Sequence, residues 1–213
     1  MRAPYDAILF DFDGVIVDSE PIHFQCWREV LAPLGIDFDW DYYHEHFIGV
    51  SDRRMAEELA GMVAPPVSVE TIYGHYAEKT QLFRSRMRDH LPFAPGIVEF
   101  IQSSKGLGLG VVTSSRRSEV EPVLMAGGLL PFLSVAVYGD DVTNHKPDPE
   151  PYLKAAKTIG ARRPLVVEDS LAGVASGKAA GFDVLRIPHP EDTTKLVRER
   201  LTEVRGTEVA TPA

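Results

Sequence analysis

Short apolar segments alternate with longer helical patterns through most of this chain, and this alternation restricts the possible folds more than any other feature. The apolar segments are continuous, which is typical of strands that are buried on both faces. They are residues 7–10, 109–112, 135–138, 165–167 and 184–187. The helical patterns between them are residues 97–104, 117–126, 150–159 and 171–180. We therefore predict an α/β fold with a Rossmann-like parallel sheet that is covered by helices on both faces.

One region interrupts the alternation just after the first strand. Residues 19–88 show helical spacing at 21–34, 52–61 and 68–88, with a Pro-Pro break before the last of these segments. We find no convincing buried strand there. We predict a core domain of residues 1–18 and 89–213 with an inserted helical domain of residues 19–88.

The charge balance limits the kinds of partner. The chain has 31 acidic and 22 basic residues, and its formal charge of −9 repels nucleic acid and anionic membranes. No apolar run approaches the roughly 18 residues of a membrane span, and no signal peptide can be fitted before the first strand. Cys26 is the only cysteine, so an intramolecular disulfide is excluded. We expect a cytoplasmic protein that is a monomer or a weak oligomer.

Polar residues follow four of the predicted strands. They are Asp11 and Asp13, Thr113 and Ser114, Asp140 and Asp141, and Glu168 and Asp169. Right-handed crossovers bring the carboxyl ends of parallel strands to one edge, where ligands of open α/β sheets bind. The sequence therefore predicts a functional site at this edge.

The carboxylates among these residues suggest a divalent metal. Asp11 and Asp13 point to the same side of an extended chain, and adjacent carboxylates repel each other unless a cation lies between them. Mg²⁺ binds a few carboxylates and leaves room for phosphate, and Glu168 and Asp169 add two more. Alternatively, the first pair are solvated turn residues, and Asp169 or Ser170 caps the next helix. We predict that Asp11, Asp13, Glu168 and Asp169 form a Mg²⁺ site.

Two further groups suit a phosphate. Thr113 and Ser114 lie where a strand gives way to a helix, so their hydroxyls and free amides can hold phosphate oxygens, and we also expect Ser115 to cap that helix.

Lys146 is the second of these groups. It precedes a helix for which we expect Asp148 as the N-cap and Pro149 as the first residue. Its ammonium can neutralise a phosphate and the nearby carboxylates. The alternative is a solvated surface lysine.

Taken in order, these residues resemble the four motifs of the haloacid dehalogenase superfamily. The motifs are Asp-Phe-Asp-Gly-Val at 11–15, Thr113-Ser114, Lys146-Pro147 and Glu168-Asp169. More narrowly, the chain is similar to the phosphatase and beta-phosphoglucomutase-like branch, which has Asp-Ser-Glu-Pro at 18–21, Glu-Asp-Ser-x-x-Gly-Val at 168–174 and a helical cap of the C1 type. The resemblance covers nearly the whole chain.

The resemblance implies phosphoryl transfer through an aspartyl phosphate. Asp11 would be the nucleophile, and Asp13 would act first as a general acid and then as a general base. The true dehalogenases of the superfamily lack the second aspartate, so Asp13 favours phosphate chemistry. The resemblance also implies that Thr113 and Lys146 bind the transferred phosphoryl group. The implied Mg²⁺ ligands are the Asp11 side chain, the Asp13 carbonyl and Asp169, with Glu168 beside them.

The helical insert is implied to be a cap that excludes water and supplies specificity. Its candidate residues are His23, Gly49, Arg53 and Lys79. In similar sugar-phosphate mutases an arginine follows the Gly-Val-Ser segment and holds a second phosphate. Here Asp52 takes that position, and its carboxylate would repel a phosphate.

Three hypotheses follow. The first is a Mg²⁺-dependent phosphatase of a small phosphorylated metabolite such as a sugar phosphate, and the second is a phosphomutase that uses the same aspartyl phosphate. The third is a non-enzymatic phospho-acceptor similar to a response-regulator receiver, which the helical insert and the chain length disfavour. The position of Asp52 favours the phosphatase over the mutase.

Overall fold

The computed structural model describes residues 5–48, 52–89 and 91–206 of the chain. Within these ranges, five strands form one sheet in the order β3-β2-β1-β4-β5, and every neighbouring pair is parallel. The strands are β1 (Ala7–Phe10), β2 (Gly108–Val112), β3 (Val135–Val137), β4 (Pro164–Glu168) and β5 (Asp183–Arg186). The predicted α/β fold with a parallel sheet is confirmed.

The helices surround this sheet and also fill the segment after β1. In chain order they are α1 (Glu20–Leu31), α2 (Trp40–His46), α3 (Asp52–Leu59), α4 (Val69–Gly74), α5 (Tyr76–Asp89), α6 (Ile97–Ser103), α7 (Arg117–Ala126), α8 (Glu150–Ile159), α9 (Leu171–Ala179) and α10 (Thr193–Gly206). None of the helices in the described ranges is long and apolar enough to cross a lipid bilayer.

Two of the predicted helical segments end or break differently in the structure. The segment predicted at 21–34 is an α-helix only to Leu31 and continues as a short 3₁₀ turn, because Pro33 has no amide hydrogen to donate. The segment predicted at 68–88 is two helices, α4 and α5, separated at His75.

Two helices, α2 and α10, were not predicted individually. Asp39 starts α2, since its carboxylate accepts a hydrogen bond from the Tyr42 amide at 2.8 Å.

The central strand β1 carries the candidate site. Its four residues are fully buried, and its neighbours are β2 and β4, with Leu9 opposite Gly110 and Val166. Helix α8 packs on this part of the sheet through Tyr152, which is completely buried with Leu9, Val137 and Val166. Burial on both sides gives Asp11, which directly follows β1, a rigid support.

The chain divides into two compact units. One consists of Met1–Asp18 with Leu91–Ala213 and holds the sheet, and the other consists of Ser19–His90 and is helical. In the helical unit, the buried core is rich in aromatic and branched side chains, among them Trp27, Leu31 and Ile72. This unit therefore has a hydrophobic core of its own.

Candidate active site

Asp11 lies at the carboxyl end of β1, where the chain turns sharply. Its amide donates to the Val167 carbonyl at 2.9 Å, which continues the ladder with β4 for one more residue. The turn depends on Gly14, whose φ of +72° suits glycine, and a Cβ at this position would lie 2.1 Å from Asp169 Oδ2. Glycine therefore allows the first turn to approach the end of β4.

Lys146 joins the ends of three strands. Its Nζ donates to Asp11 Oδ1 at 2.9 Å, to the Val112 carbonyl at 2.9 Å and to Glu168 Oε1 at 2.5 Å. The lysine side chain is only 5% exposed. These three bonds match the three hydrogens of an ammonium group. Lys146 is thus a buried cation bonded to two carboxylates, and the alternative of a solvated surface lysine is wrong.

Glu168 is a completely buried carboxylate at the end of β4. Its Oε1 accepts from Lys146 and from the Tyr152 hydroxyl at 2.7 Å, and its Oε2 accepts from the amide and the hydroxyl of Ser170 at 3.3 and 3.1 Å. Ser170 also caps α9, because its Oγ accepts from the Gly173 amide at 3.0 Å. A Cβ on Gly173 would lie 1.8 Å from Glu168 Oε1, so this helix approaches the carboxylate through a glycine.

Three of the predicted metal ligands meet at one point. Asp11, Glu168 and Asp169 each offer a carboxylate oxygen, and these oxygens lie within 4.8 Å of one another. Within the part of the chain that the structure describes, the Asp13 carboxylate does not belong to this group. Its Oδ2 instead accepts a hydrogen bond from the Ser115 hydroxyl at 2.7 Å.

The electrostatics of this group show an excess of negative charge. Burial and then repulsion from Glu168 raise the pKa of Asp11 well above its ordinary value, although Lys146 opposes the shift. Burial and Glu168 also raise the pKa of Asp169 to about 6. Burial disfavours the charged form of Lys146, but the charges of Asp11 and Glu168 outweigh it and raise the pKa of the lysine. These shifts arise because carboxylates outnumber cations here, and hard oxygen ligands with such an excess charge fit Mg²⁺.

The two hydroxyl residues at the end of β2, Thr113 and Ser114, differ in their burial. Thr113 is buried, its amide donates to the Val137 carbonyl at 2.9 Å, and its Oγ1 accepts from the Ser115 amide at 3.0 Å. Ser114 is exposed, and its carbonyl packs so closely on Gly139 that a Cβ there would lie 2.3 Å away. Thr113 and Lys146 are adjacent because Lys146 binds the carbonyl of Val112.

Two expected helix caps are wrong. Ser115 does not cap α7, which begins at Arg117, because the serine hydroxyl is bonded to Asp13 instead. The expected cap of α8 is displaced by one residue, since the helix begins at Glu150 rather than at Pro149. Asp148 still serves the helix start, because its Oδ1 accepts from the Glu150 amide at 2.9 Å.

Asp140 and Asp141, which follow β3, have a structural role. Asp140 Oδ2 accepts from the Arg117 amide at 3.0 Å, and both carboxylate oxygens of Asp141 lie 3.1 Å from the Arg117 guanidinium. Partial burial disfavours the charged form of Asp141, but the bonds from the Tyr138 amide and the Arg117 guanidinium together outweigh it and lower the pKa of Asp141. These two residues anchor the start of α7.

Three residues with a place in the site were missed from the sequence. Ser115 was expected to cap a helix, Tyr152 was only one position of a helical pattern, and Gly173 was one letter of a motif. The partners of the two hydroxyls, Asp13 and Glu168, lie 102 and 16 residues away. The one signal was that Tyr152, a polar aromatic residue, occupies a buried helix position, where hydroxyls usually find a partner.

In the helical unit, His23 and Lys79 lie near each other. The His23 ring stacks on Phe83 at 4.0 Å with an interplanar angle of 9°. Lys79 is 5% exposed, and its Nζ lies 5.3, 5.8 and 5.6 Å from the ring centres of Trp27, Tyr76 and Phe83. Burial and then the charge of Lys79 lower the pKa of His23 well below its ordinary value. The pair thus combines a buried cation with a neutral imidazole.

The other two candidates in this unit differ. Arg53 lies on α3, is 66% exposed and forms an ion pair with Glu57 at 3.7 Å. Gly49 lies outside the described residues.

We expect His23 to make the unfolding free energy depend on pH. An unfolded histidine has a pKa of about 6.5, and the folded value is lower, so the unfolded state binds more protons as the pH falls below 6.5. Stability from this group is therefore complete above pH 6.5 and decreases by up to about 1.4 kcal/mol per pH unit below it. The His23→Phe variant keeps a ring on Phe83 and removes the titration.

The measurement is urea unfolding of both proteins from pH 7.5 to 5. The stability of the wild type relative to His23→Phe should decrease as the pH falls. A difference that is the same at every pH would contradict the assignment.

Comparisons with known proteins show which family and which fold this chain resembles. The sequence model of a family described as haloacid dehalogenase-like hydrolase matches residues 8–187. A phosphorylated carbohydrates phosphatase of Thermotoga maritima is 31% identical over 183 residues, which cover 84% of this chain and 82% of that protein. The fructose-1-phosphate phosphatase YqaB of Escherichia coli is 30% identical over 190 residues, which cover 88% of this chain and 98% of that protein.

The fold is also similar to a solved structure. The crystal structure of CbbY from Rhodobacter sphaeroides in complex with phosphate superposes with a TM-score of 0.69 and 30% identity, covering 84% of each chain.

Proposed function

Since this chain belongs to the haloacid dehalogenase-like hydrolases, we propose that it is a Mg²⁺-dependent phosphatase that acts on a small phosphorylated metabolite through an aspartyl phosphate. The family relationship makes it a phosphoric monoester hydrolase. The observation that carries the finer proposal is the buried Lys146, which contacts the carboxylates of Asp11 and Glu168 beside Thr113. A cation held against a carboxylate at a strand end can bind the phosphate that this carboxylate attacks.

In the first step, the Asp11 carboxylate attacks phosphorus and the bond between phosphorus and the ester oxygen breaks. Asp13 gives its proton to the departing alkoxide, so the alcohol leaves neutral and Asp11 becomes an acyl phosphate. In the second step, the ionised Asp13 takes a proton from water, and the water oxygen attacks phosphorus. Inorganic phosphate leaves, and the Asp11 carboxylate and the proton on Asp13 are restored.

The remaining groups bind the phosphoryl oxygens. Lys146 and Thr113 would contact them, with the exposed Ser114 at the rim, and the positive charge of Lys146 would balance the charge that develops on the oxygens. When Mg²⁺ is bound, its proposed ligands would be the Asp11 side chain, the Asp13 carbonyl and Asp169, with Glu168 beside them, and it would supply Lewis-acid stabilisation of phosphate charge.

The Ser115 hydroxyl gives Asp13 a defined position. Its hydrogen bond to Asp13 Oδ2 holds the proposed acid and base beside the phosphate-binding hydroxyls. Ser115 is itself held at two backbone points, because its amide donates to Thr113 Oγ1 at 3.0 Å and its carbonyl accepts from the Gly139 amide at 2.9 Å. Asp13 is therefore anchored to the same loop as Thr113.

We assign the choice of substrate to the helical unit, Ser19–His90, which we propose as the cap. The candidates are His23, Lys79, Arg53 and Gly49. Two of the relatives act on phosphorylated carbohydrates by their names, so a sugar phosphate is the substrate class that we propose. A protein with a formal charge of −9 needs locally placed cations to attract such an anion, and Lys79 and Arg53 are the cations that we assign to this task.

A substrate panel tests the proposal. The purified protein is incubated with Mg²⁺ and a set of sugar phosphates and related metabolites, and both inorganic phosphate and isomerised product are measured. We expect phosphate release that stops when EDTA removes the metal. Isomer formation without phosphate release would identify a mutase, and a stable phosphoprotein without turnover would identify a phospho-acceptor switch.

A further inference from the structure

Tyr152 touches both members of the buried ion pair in the site. It lies near the start of α8 and is completely buried. Its hydroxyl donates to Glu168 Oε1 at 2.7 Å, and its ring centre lies 5.1 Å from Lys146 Nζ. A tyrosine in a hydrophobic core needs a partner for its hydroxyl, and here that partner is a carboxylate of the site.

The hydrogen bonds of Glu168 leave it little freedom. A carboxylate offers about four acceptor positions. Glu168 receives four donors from the protein, namely Lys146 and Tyr152 on Oε1 and the amide and hydroxyl of Ser170 on Oε2. The bonds from Ser170, the N-cap of α9, fix one oxygen, and the bond from Tyr152 in α8 fixes the other. The plane of the carboxylate is therefore held from both sides.

The orientation of Glu168 in turn affects the position of the Lys146 ammonium. The lysine side chain is long and flexible, so the groups that its ammonium binds help to define where the charge lies. Glu168 is the closest of its three acceptors, at 2.5 Å. If Glu168 Oε1 turned away, the ammonium would keep only Asp11 and the Val112 carbonyl.

We propose that Tyr152 is a positioning residue of the phosphoryl-transfer site. Its hydroxyl orients Glu168, and Glu168 holds the Lys146 ammonium against Asp11. The catalytic consequence rests on the proposed function, whereas the link from Tyr152 to Lys146 does not. The effect of the hydroxyl can be measured separately from the effect of packing. Phenylalanine would fill the same space among Leu9 and Val166 and would keep the ring beside Lys146.

The test compares two matched variants, Tyr152→Phe and Tyr5→Phe. Tyr5 is also buried, and its hydroxyl also donates to a carboxylate, Asp183 Oδ2, at 3.1 Å. That bond lies at the amino end of the strands, and the site lies at the carboxyl end. Each variant therefore loses one buried hydroxyl bonded to a carboxylate, but only one of them loses it in the site.

The first readout does not depend on activity. In proton–nitrogen correlation spectra of lysine ammonium groups, a buried and fully bonded Lys146 should give a sharp signal in the wild type and in Tyr5→Phe. We expect this signal to broaden or disappear in Tyr152→Phe because the ammonium exchanges its protons faster. The same sharp signal in all three proteins, or none in the wild type, would overturn the proposal.

The second readout is kinetic. With a substrate found in the panel, Tyr152→Phe should lower kcat by about 10- to 100-fold, the range for partners that orient ligands of a site, with KM changed by less than about threefold. Tyr5→Phe should match the wild type. In a Lys146→Ala background the Tyr152→Phe effect should vanish, because the two residues act as one unit.

An equal loss in both backgrounds would show that Tyr152 acts only through packing, which overturns the proposal. If the wild type hydrolyses no phosphate ester, the proposed function fails, and the ammonium spectra still decide whether Tyr152 positions Lys146.

Discussion

Replacing Asp11 by asparagine is expected to lower kcat by on the order of 10⁴-fold or more, because the neutral amide cannot attack phosphorus to form the acyl phosphate. The change is nearly isosteric, so the turn after β1 should form as before. The measurement is phosphate release with a substrate from the panel, together with rapid-quench mass spectrometry. The wild type should show phosphate on the peptide that contains Asp11, and the variant should show none.

Asp11→Asn should also fold at least as stably as the wild type in the absence of Mg²⁺. Burial and repulsion from Glu168 raise the folded pKa of Asp11 above its unfolded value. Between these two pKa values the folded state binds more protons than the unfolded state. The contribution of Asp11 to stability therefore decreases as the pH rises from the unfolded pKa to the folded pKa. At pH 8 the ionised carboxylate is unfavourable, and the amide removes that cost. Urea unfolding of both proteins measures this difference.

Asp6→Asn is the matched control for this prediction. Asp6 lies just before β1, whereas Asp11 lies just after it. The Asp6 carboxylate accepts hydrogen bonds from the amides of Arg162 and Arg163 at 2.8 and 3.0 Å. It lies at the opposite end of the strand from the site, so its loss should leave kcat unchanged. If Asp11→Asn kept kcat within about tenfold of the wild type, another residue would be the nucleophile.

The sheet could be predicted from the sequence because its central strands are buried on both faces. A continuous apolar run such as residues 165–167 has few alternatives to a central parallel strand, and the polar residues that follow mark the edge where ligands bind. The last helix, α10, was not predicted. Only some of its residues are buried, among them Val197, and most of the others are polar, so the sequence shows no clear helical pattern. The helix is stabilised instead by packing against the sheet.

The candidate site could be predicted as a set of residue types but not as a set of contacts. Glu168 and Asp169 followed from the strand end, and Lys146 was expected to neutralise nearby carboxylates. The sequence did not show that one of its partners would be Glu168, 22 residues away. Likewise, the serine at 115 suits a helix cap by local rules, yet a carboxylate 102 residues away takes its hydroxyl. Local propensity fails here because long-range partners decide where a buried or half-buried hydroxyl donates.

Replacing Lys146 by methionine is expected to lower the free energy of unfolding by about 3–5 kcal/mol at pH 8 without Mg²⁺, since removing one partner of a buried ion pair leaves uncompensated charge. Methionine keeps much of the length of the side chain but removes the cation that binds Asp11 and Glu168. Urea unfolding followed by circular dichroism gives the value. Lys154→Met is the control, because Lys154 is an exposed lysine that donates to the Asp141 carbonyl, and its loss should cost less than about 1 kcal/mol.

Magnesium separates the charge effect in Lys146→Met from a loss of packing. Without the ammonium, the carboxylates of Asp11, Glu168 and Asp169 should bind a divalent cation more tightly, because no cation then competes for their oxygens. A ligand that binds only the folded state stabilises it, so Mg²⁺ should restore part of the stability of Lys146→Met and raise that of the wild type less. Isothermal titration calorimetry checks the affinity directly. If Mg²⁺ stabilised both proteins equally, Lys146 would not compete with the metal for these oxygens, and the lost stability would come from packing.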